Sequence, residues 1–382
     1  MVVVFYVSGH GFGHASRSIE LINTLGRQLL EGDRAVELTT VVRTSAPEWF
    51  FRSSIRVPIQ FHHVDTDSGV AQIDSLRLDE HETATLARGF YADFDDRVSR
   101  EASTLRRLKA SVVVADIPPL ASAAAALARI PVLLMGNFTW DWIYEGYPSF
   151  ERRAPGVIGR IADAYAQATR VLRLPLHGGF KSVRAPIVDI PFIARRSTLG
   201  RAGAREVLGL AHEARIVLGS FGGHGVELRY REIAKTLPFL LAVTDFELRD
   251  GDIPDNLLRF SRADLNARGC GYEDLVAASD VVVSKPGYGI VSECVANGTA
   301  LLYTDRGRFR EHDIFVNEMP AILRCRHISQ DDLQAGRWEK PLEALLRQPA
   351  PAKQPPTDGA EVAAAEVKAW ADSGRAWLAG GS

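Results

Sequence analysis

Short β-branched apolar runs alternate with helix-period stretches along almost the whole chain, and this alternation limits the fold more than composition does. A strand that reads as a continuous apolar run is buried on both faces. Such strands pair in parallel and are joined by helices that cover the sheet. Strand-like runs fall near residues 2–7, 36–42, 112–115, 132–135 and 170–174, with helical patterns near 16–30, 99–108 and 120–128. The stretch 44–97 is less legible and has room for a further strand with mobile connections. A second series begins after a proline-bearing crossing at 185–196, with strands near 216–218, 239–244, 280–284 and 300–303. Its helices fall near 202–208, 225–235, 272–278 and 289–297. In a chain of 382 residues with 46% hydrophobic content, each half can bury its own core. The expected organisation is an α/β protein with a first domain over 1–185, a second over 186–348, and a cleft between them. Residues 349–382 read as a proline-rich linker and a last amphipathic helix expected to pack back on the body, a frayed tail being the alternative.

Charge and cysteine usage exclude several classes of function. With 45 basic and 47 acidic residues the formal net charge is −2, which carries no nucleic-acid signature. The cysteines (Cys270, Cys294, Cys325) are odd in number and lack metal-ligand spacing, as expected of reduced thiols in a cytoplasmic protein. No apolar stretch is long enough to span a membrane, and the run at residues 1–7 lacks the basic start of a secretion signal. Membrane contact is therefore expected to be peripheral at most. Asp93, Asp95 and Asp96 come nearest to a diphosphate-binding metal motif, but their helix-like charged stretch reads as a solvated face. No metal is expected.

The first apolar run ends in Ser8-Gly9-His10-Gly11-Phe12-Gly13-His14-Ala15-Ser16-Arg17. Its glycines let the backbone turn and approach a ligand closely, and the helix that follows points its positive end at the same place. A dinucleotide fingerprint would need glycine where His14 stands and an acidic residue after the second run, where Arg43-Thr44 stand. An imidazole at a helix start suits proton transfer, the plain alternative being that His10 and His14 only cap the loop and helix.

In the second half, Ser284-Lys285-Pro286-Gly287-Tyr288-Gly289 leads a buried strand through a glycine turn into a helix carrying Ser292 and Glu293, closed by Asn297-Gly298. Free amides at that helix start can hold a diphosphate, with Lys285 adding a point charge. Glu293, one turn in, can accept hydrogen bonds from ribose hydroxyls. The bland readings are an acid favoured by the helix dipole and a solvated lysine at a strand end.

The order of elements in residues 284–303 resembles the donor-binding segment of the GT-B glycosyltransferases. These include the N-acetylglucosaminyltransferase that makes the lipid-linked peptidoglycan precursor and the galactolipid synthases. The His-Gly loop, Asn137-Phe138-Thr139-Trp140-Asp141-Trp142-Ile143-Tyr144 and Lys285-Pro286-Gly287-Tyr288-Gly289 resemble more closely the glycosyltransferase-like half of plant L-arabinokinase. No sugar-kinase phosphate loop is seen downstream, so the kinase activity is not carried over.

The resemblance implies two Rossmann-like domains in a GT-B fold and the metal-independent, inverting transfer of a sugar from a UDP-sugar co-substrate, without a cofactor. The acceptor would be a hydroxyl on a small or lipid-linked molecule. His14 would be the general base and Asp116 the carboxylate that orients it, unless Asp116 only caps the helix before Pro118. Gly13, Gly222, Gly223, Lys285, Gly287, Tyr288, Gly289, Glu293 and Glu311 would hold the donor, with His10, Arg17, Trp140 and Asp141 on the acceptor side. The usual acidic-glutamine pair that reads sugar hydroxyls is replaced near Arg310-Glu311-His312-Asp313. A buried tryptophan wedge is the alternative at Trp140 and Trp142. A non-catalytic nucleotide-sugar sensor and a nucleotide-sugar epimerase of the same fold are the rival functions.

Overall fold

The computed structural model describes residues 1–30, 37–222, 225–244 and 253–379. The first sheet is built from β1 (Val2–Val7), β2 (Thr39–Thr44), β3 (Ile59–His63), β6 (Val112–Asp116), β7 (Val132–Gly136), β8 (Arg170–Arg173) and β9 (Ile187–Asp189). An antiparallel hairpin of β4 (Ala71–Gln72) and β5 (Leu78–Asp79) stands apart from it. The order is β3-β2-β1-β6-β7-β8-β9, all parallel. The second sheet uses β10 (Ile216–Gly219), β11 (Leu240–Thr244), β12 (Leu257–Phe260), β13 (Val281–Ser284), β14 (Ala300–Tyr303) and β15 (Cys325–His327). It runs β12-β11-β10-β13-β14-β15, again all parallel.

Both sheets therefore reverse direction beside their first strand, between β1 and β6 and between β10 and β13. In an open parallel sheet the crevice at such a reversal lies beyond the carboxyl ends of the strands. Register then decides which residues meet there. Val7 pairs with Asp116, so the loop after β1 and the carboxylate ending β6 are neighbours. Gly219 pairs with Val283, which sets the loop after β10 beside Ser284 and Lys285.

Some boundaries differ from the sequence reading. The first helix spans Phe12–Leu30, four residues earlier than the apolar period at 16 suggests, because Gly11 takes a left-handed turn (φ 75°) that lets helical geometry begin at once. His14 therefore sits in the first helical turn. β2 is displaced towards its C-terminus from the expected 36–42, residue 36 lying outside the described residues. The helix expected at 225–235 spans only Tyr230–Thr236, and that expected at 99–108 starts earlier, over Phe94–Leu108. The illegible stretch holds β3, the hairpin and a helix over Glu80–Ala92. The crossing at 185–196 opens with β9, whose Ile187 pairs with Val171, so the first sheet runs past residue 185. The last helix, Gly359–Ala379, packs on the first one, burying Ala360, Ala363, Ala364, Val367 and Ala371. Among the described residues no helix is long and apolar enough to cross a membrane.

Candidate active site

His14 and Asp116 meet as the register dictates. His14 Nδ1 lies 2.9 Å from Asp116 Oδ1, with 6% and 1% of the two residues exposed. Asp116 also accepts from Arg17 Nε (2.8 Å), Arg17 Nη2 (2.5 Å) and Ser18 Oγ (2.9 Å), all from the same helix as His14. Burial pushes the carboxyl up, but the Arg17 and His14 charges more than offset it and hold Asp116 down to about 2. An ionised carboxylate has no proton to give, so the Asp116 contact is a hydrogen bond in the tautomer with the hydrogen on Nδ1, which leaves the Nε2 lone pair free; Arg17 Nη2, itself only a donor, lies 2.9 Å from the same Nδ1 and favours the other tautomer. His14 lines the interdomain cavity, while Asp116 lies behind it.

The alternative role for Asp116 as a helix cap is not what the geometry shows. The helix Pro119–Ala128 has Pro118 at its N-cap and no side-chain cap. Between them Ile117 adopts φ 63°, and its carbonyl accepts from Tyr165 Oη at 2.7 Å. A β-branched residue in the left-handed region costs on the order of 1–3 kcal/mol. Gly136 makes room for the kink, since a Cβ there would collide with Ile117 Cγ2.

Across the cleft, β13 runs into Lys285 and the helix Tyr288–Asn297. Its N-cap residue Gly287 supplies no side-chain bond, so the first amides of the helix are open to an anion. Lys285 lines the same cavity and makes no hydrogen bond or ion pair among the described residues. Burial, with the Arg306 charge nearby, pulls its pKa down to about 7. Glu293 is 3% exposed and is already engaged through Oε1, which accepts from Ser16 Oγ (3.1 Å) and from Arg195 Nε (2.7 Å) and Nη2 (2.5 Å). Burial raises its pKa and Arg195 pulls the other way. No side-chain hydrogen bond of Glu293 among the described residues uses Oε2.

The domains touch at backbone level here. A Cβ added to Gly289 would sit 3.1 Å from Gly13 Cα, tight against backbone, whereas one added to Gly13 would meet Gly289 N at an ordinary 3.5 Å, so it is Gly289 that lets the two helix starts converge. A polar chain also crosses the cleft. Arg17 Nη1 donates to Asn137 Oδ1 (2.9 Å), Asn137 Nδ2 donates to Glu311 Oε1 (2.5 Å), and Arg306 Nη1 lies 3.4 Å from Glu311 Oε2. The half-open cavity between the domains measures about 750 Å³.

Most of the candidate residues line that space, including His10, Gly13, Arg17, Gly222, Lys285, Gly287, Tyr288, Gly289, Glu293 and Glu311. Gly223 lies outside the described residues. His10 stacks on Phe309 of the second domain (5.9 Å) and meets Trp140 edge-on (5.5 Å). Tyr288 turns its hydroxyl away from the helix start to accept from the Ile193 amide (3.1 Å), and Arg17 covers its ring (4.9 Å). Trp140 and Asp141 do not line the cavity. Trp140 is fully buried and donates Nε1 to Asp67 (3.1 Å), while Asp141 accepts from Ser182 Oγ (2.6 Å). Trp140 is buried as the wedge alternative expects, and Trp142 beside it is half-buried. Asp93 pairs with Arg97 on an exposed helical stretch, and no metal-binding group of side chains occurs among the described residues.

Sequence reasoning missed Asp67, Arg195 and Arg306. Burial pushes the Asp67 carboxyl up to about 6, and it lies close enough to His14 and Asp116 to sense both charges. Asp67 and Arg195 sit in loops whose partners, Trp140 and Glu293, are distant in the chain, while Arg306 meets Glu311 and Phe309 close by in sequence but in a loop with no pattern that marks it. Asn137 was visible only as part of the aromatic segment.

Two facing parallel sheets with a polar cleft at their strand ends define the GT-B glycosyltransferase fold, and solved glycosyltransferases share it over nearly the whole chain. Phytolacca americana UGT2, solved with UDP-2-fluoro-glucose and pterostilbene, superposes with a TM-score of 0.59 at 13% identity, covering 98% of this chain and 94% of that one. The calicheamicin glycosyltransferase CalG4 gives 0.59 at 14% identity, covering 96% and 98%. The spinosyn rhamnosyltransferase SpnG gives 0.58 at 13% identity, covering 97% and 96%. In sequence, the chain is 29% identical to L-arabinokinase of Arabidopsis thaliana over 376 residues, which is 95% of this chain. It spans about a third (34%) of that relative's length. No family model matches the chain.

Proposed function

We propose that the chain transfers a sugar from a UDP-sugar to an acceptor hydroxyl, with inversion and without a metal ion. The observation that carries this reading is that His14, with Nδ1 tied to Asp116, and the uncapped helix start beside unpaired Lys285 line one cavity from opposite domains. In the reaction His14 Nε2 takes the acceptor proton as the acceptor oxygen bonds to the anomeric carbon. The bond from that carbon to the diphosphate breaks, and UDP leaves. Asp116 stabilises the imidazolium that forms, and Arg17 acts through Asp116 as a positioning residue. Helix amides and Lys285 put positive potential where leaving-group charge develops, the task a divalent ion performs elsewhere. Glu293 Oε2 is placed for a ribose hydroxyl.

A nucleotide-sugar sensor would need the donor side but not a tethered base, and the buried His14–Asp116–Arg17 cluster favours catalysis over it. Phosphoryl transfer, suggested by the L-arabinokinase relative, has less support because the match covers only 34% of that protein. The donor site is tested without knowing the acceptor. A ligand at about one hundred times its Kd stabilises the folded state by roughly 2.7 kcal/mol. UDP with chelator is therefore expected to raise the melting temperature clearly, and more than uridine does. A melting curve that UDP leaves in place would remove the reading.

A further inference from the structure

The hairpin at 71–79 leaves the first domain and is fastened to the second. Ser75 donates its amide to Gly225 O (3.2 Å) and its hydroxyl to Phe221 O (2.7 Å), and Gly307 N donates to Leu76 O (2.8 Å). Leu76, 4% exposed, belongs to the apolar core of the second domain. At its other end the hairpin is held by the first domain, where Ala71 N donates to Thr83 Oγ1 (3.0 Å). The strap therefore spans the cleft beside the loops after β10 and β14, with both ends fixed.

Gln72 stands near the first-domain end of this strap and lines the cavity with Lys285, Arg306 and Glu311. Its Oε1 is shut off from solvent with no hydrogen-bond partner, and no hydrogen bond satisfies the amide among the described residues. A buried side-chain oxygen left unpaired is unusual in a native protein, and for this half-buried glutamine, unlike the core hydroxyls of Tyr91 and Thr40, a ligand in the adjoining cavity supplies an explanation. Its neighbours are committed: Asn137 bonds Arg17 and Glu311, and Glu311 is shared between Asn137 and Arg306. Gln72 and Lys285 are left open. The lysine is a cation suited to phosphate. The amide is neutral and both donates and accepts, which suits the hydroxyls of a sugar.

We propose that Gln72 reads a hydroxyl of the transferred sugar, so that sugar selection in this chain is carried partly by a strap of the first domain. The inference rests on the donor-site reading above. Calorimetry with UDP, UDP-glucose, UDP-galactose, UDP-xylose and UDP-N-acetylglucosamine, on wild type and Gln72→Leu, tests it. Loss of one hydrogen bond should weaken the preferred sugar nucleotide by about three- to tenfold. UDP should stay within twofold, and unchanged UDP binding also shows that the variant is folded. If Gln72→Leu disturbs the strap, Gln72→Ala should give the same split. Equal changes for UDP and sugar nucleotide in both variants, or no change in either, would overturn the role of Gln72 alone. A wild-type protein that binds neither UDP nor any of the sugar nucleotides would overturn the donor-site reading with it.

Discussion

The strand ends of the two sheets are in opposite electrostatic states. Behind the end of β6, Asp116 accepts from His14, from two Arg17 nitrogens and from Ser18, and little of the cluster reaches solvent. Beyond the end of β13, Lys285 has no partner among the described residues, and the helix after it has no side-chain cap. One side is complete by itself, its carboxylate matched by an arginine, an imidazole and a hydroxyl. The other would be completed by the diphosphate of the proposed donor. In the proposed reaction the imidazole side would take up the proton and the cation side would steady the leaving group, since the two events happen at opposite ends of the reacting bonds.

The sharpest way to break this comparison is at the complete side. His14→Ala should lower turnover by about two to four powers of ten, the usual range for loss of a general base, with the Kd for UDP unchanged within twofold. Parallel loss of UDP affinity in calorimetry would move His14 to the binding machinery. Asp116→Asn goes further than removing an orienting group, because it leaves Arg17, 3% exposed, without its countercharge. Breaking a buried pair from one side costs about 3–5 kcal/mol. Chemical denaturation should show that loss for Asp116→Asn and a much smaller one for His14→Ala. Equal stabilities for the two variants would mean that Arg17 finds another partner.

A smaller effect sharpens the incomplete side. Lys285 has a free-state pKa pulled from 10.5 to about 7, so above pH 7 the unliganded protein loses this charge. A bound diphosphate favours the protonated form and returns its pKa upward. UDP affinity should therefore fall as pH rises above 7, by at most about tenfold per pH unit for one coupled proton. Calorimetry across pH 7–9 on wild type and Lys285→Met isolates this group, and identical slopes in the two proteins would remove Lys285 from the phosphate site.

The period of apolar runs and the glycine turns were enough to expect two parallel α/β halves, because burial on both faces writes a pattern into the residues themselves. β1 at Val2–Val7 and β14 at Ala300–Tyr303 fall where the runs place them. Helix starts were less legible. The apolar period begins only at residue 16, whereas Gly11 allows helical geometry from Phe12, and that difference moves His14 from a loop into a helical turn.

The meeting of His14 and Asp116 is a product of register, 102 residues apart in sequence and adjacent because Val7 pairs with Asp116. Trp140 and Asp141 carry the chemistry of a sugar platform in the sequence, yet they are turned inward, since the indole finds Asp67 and the carboxylate finds Ser182. The sequence by itself determined the sheet-and-helix plan and the residue types near each strand end, since these depend on local periodicity and backbone freedom. The tertiary structure alone decided which of those polar groups are satisfied. It closed the circuit from Asp116 through Arg17 and Asn137 to Glu311, and it set Gln72 on the cavity wall at the near end of a hairpin anchored across the cleft at Ser75 and Leu76. Hydrogen-bond satisfaction depends on distances between residues far apart along the chain, and no local window of sequence contains them.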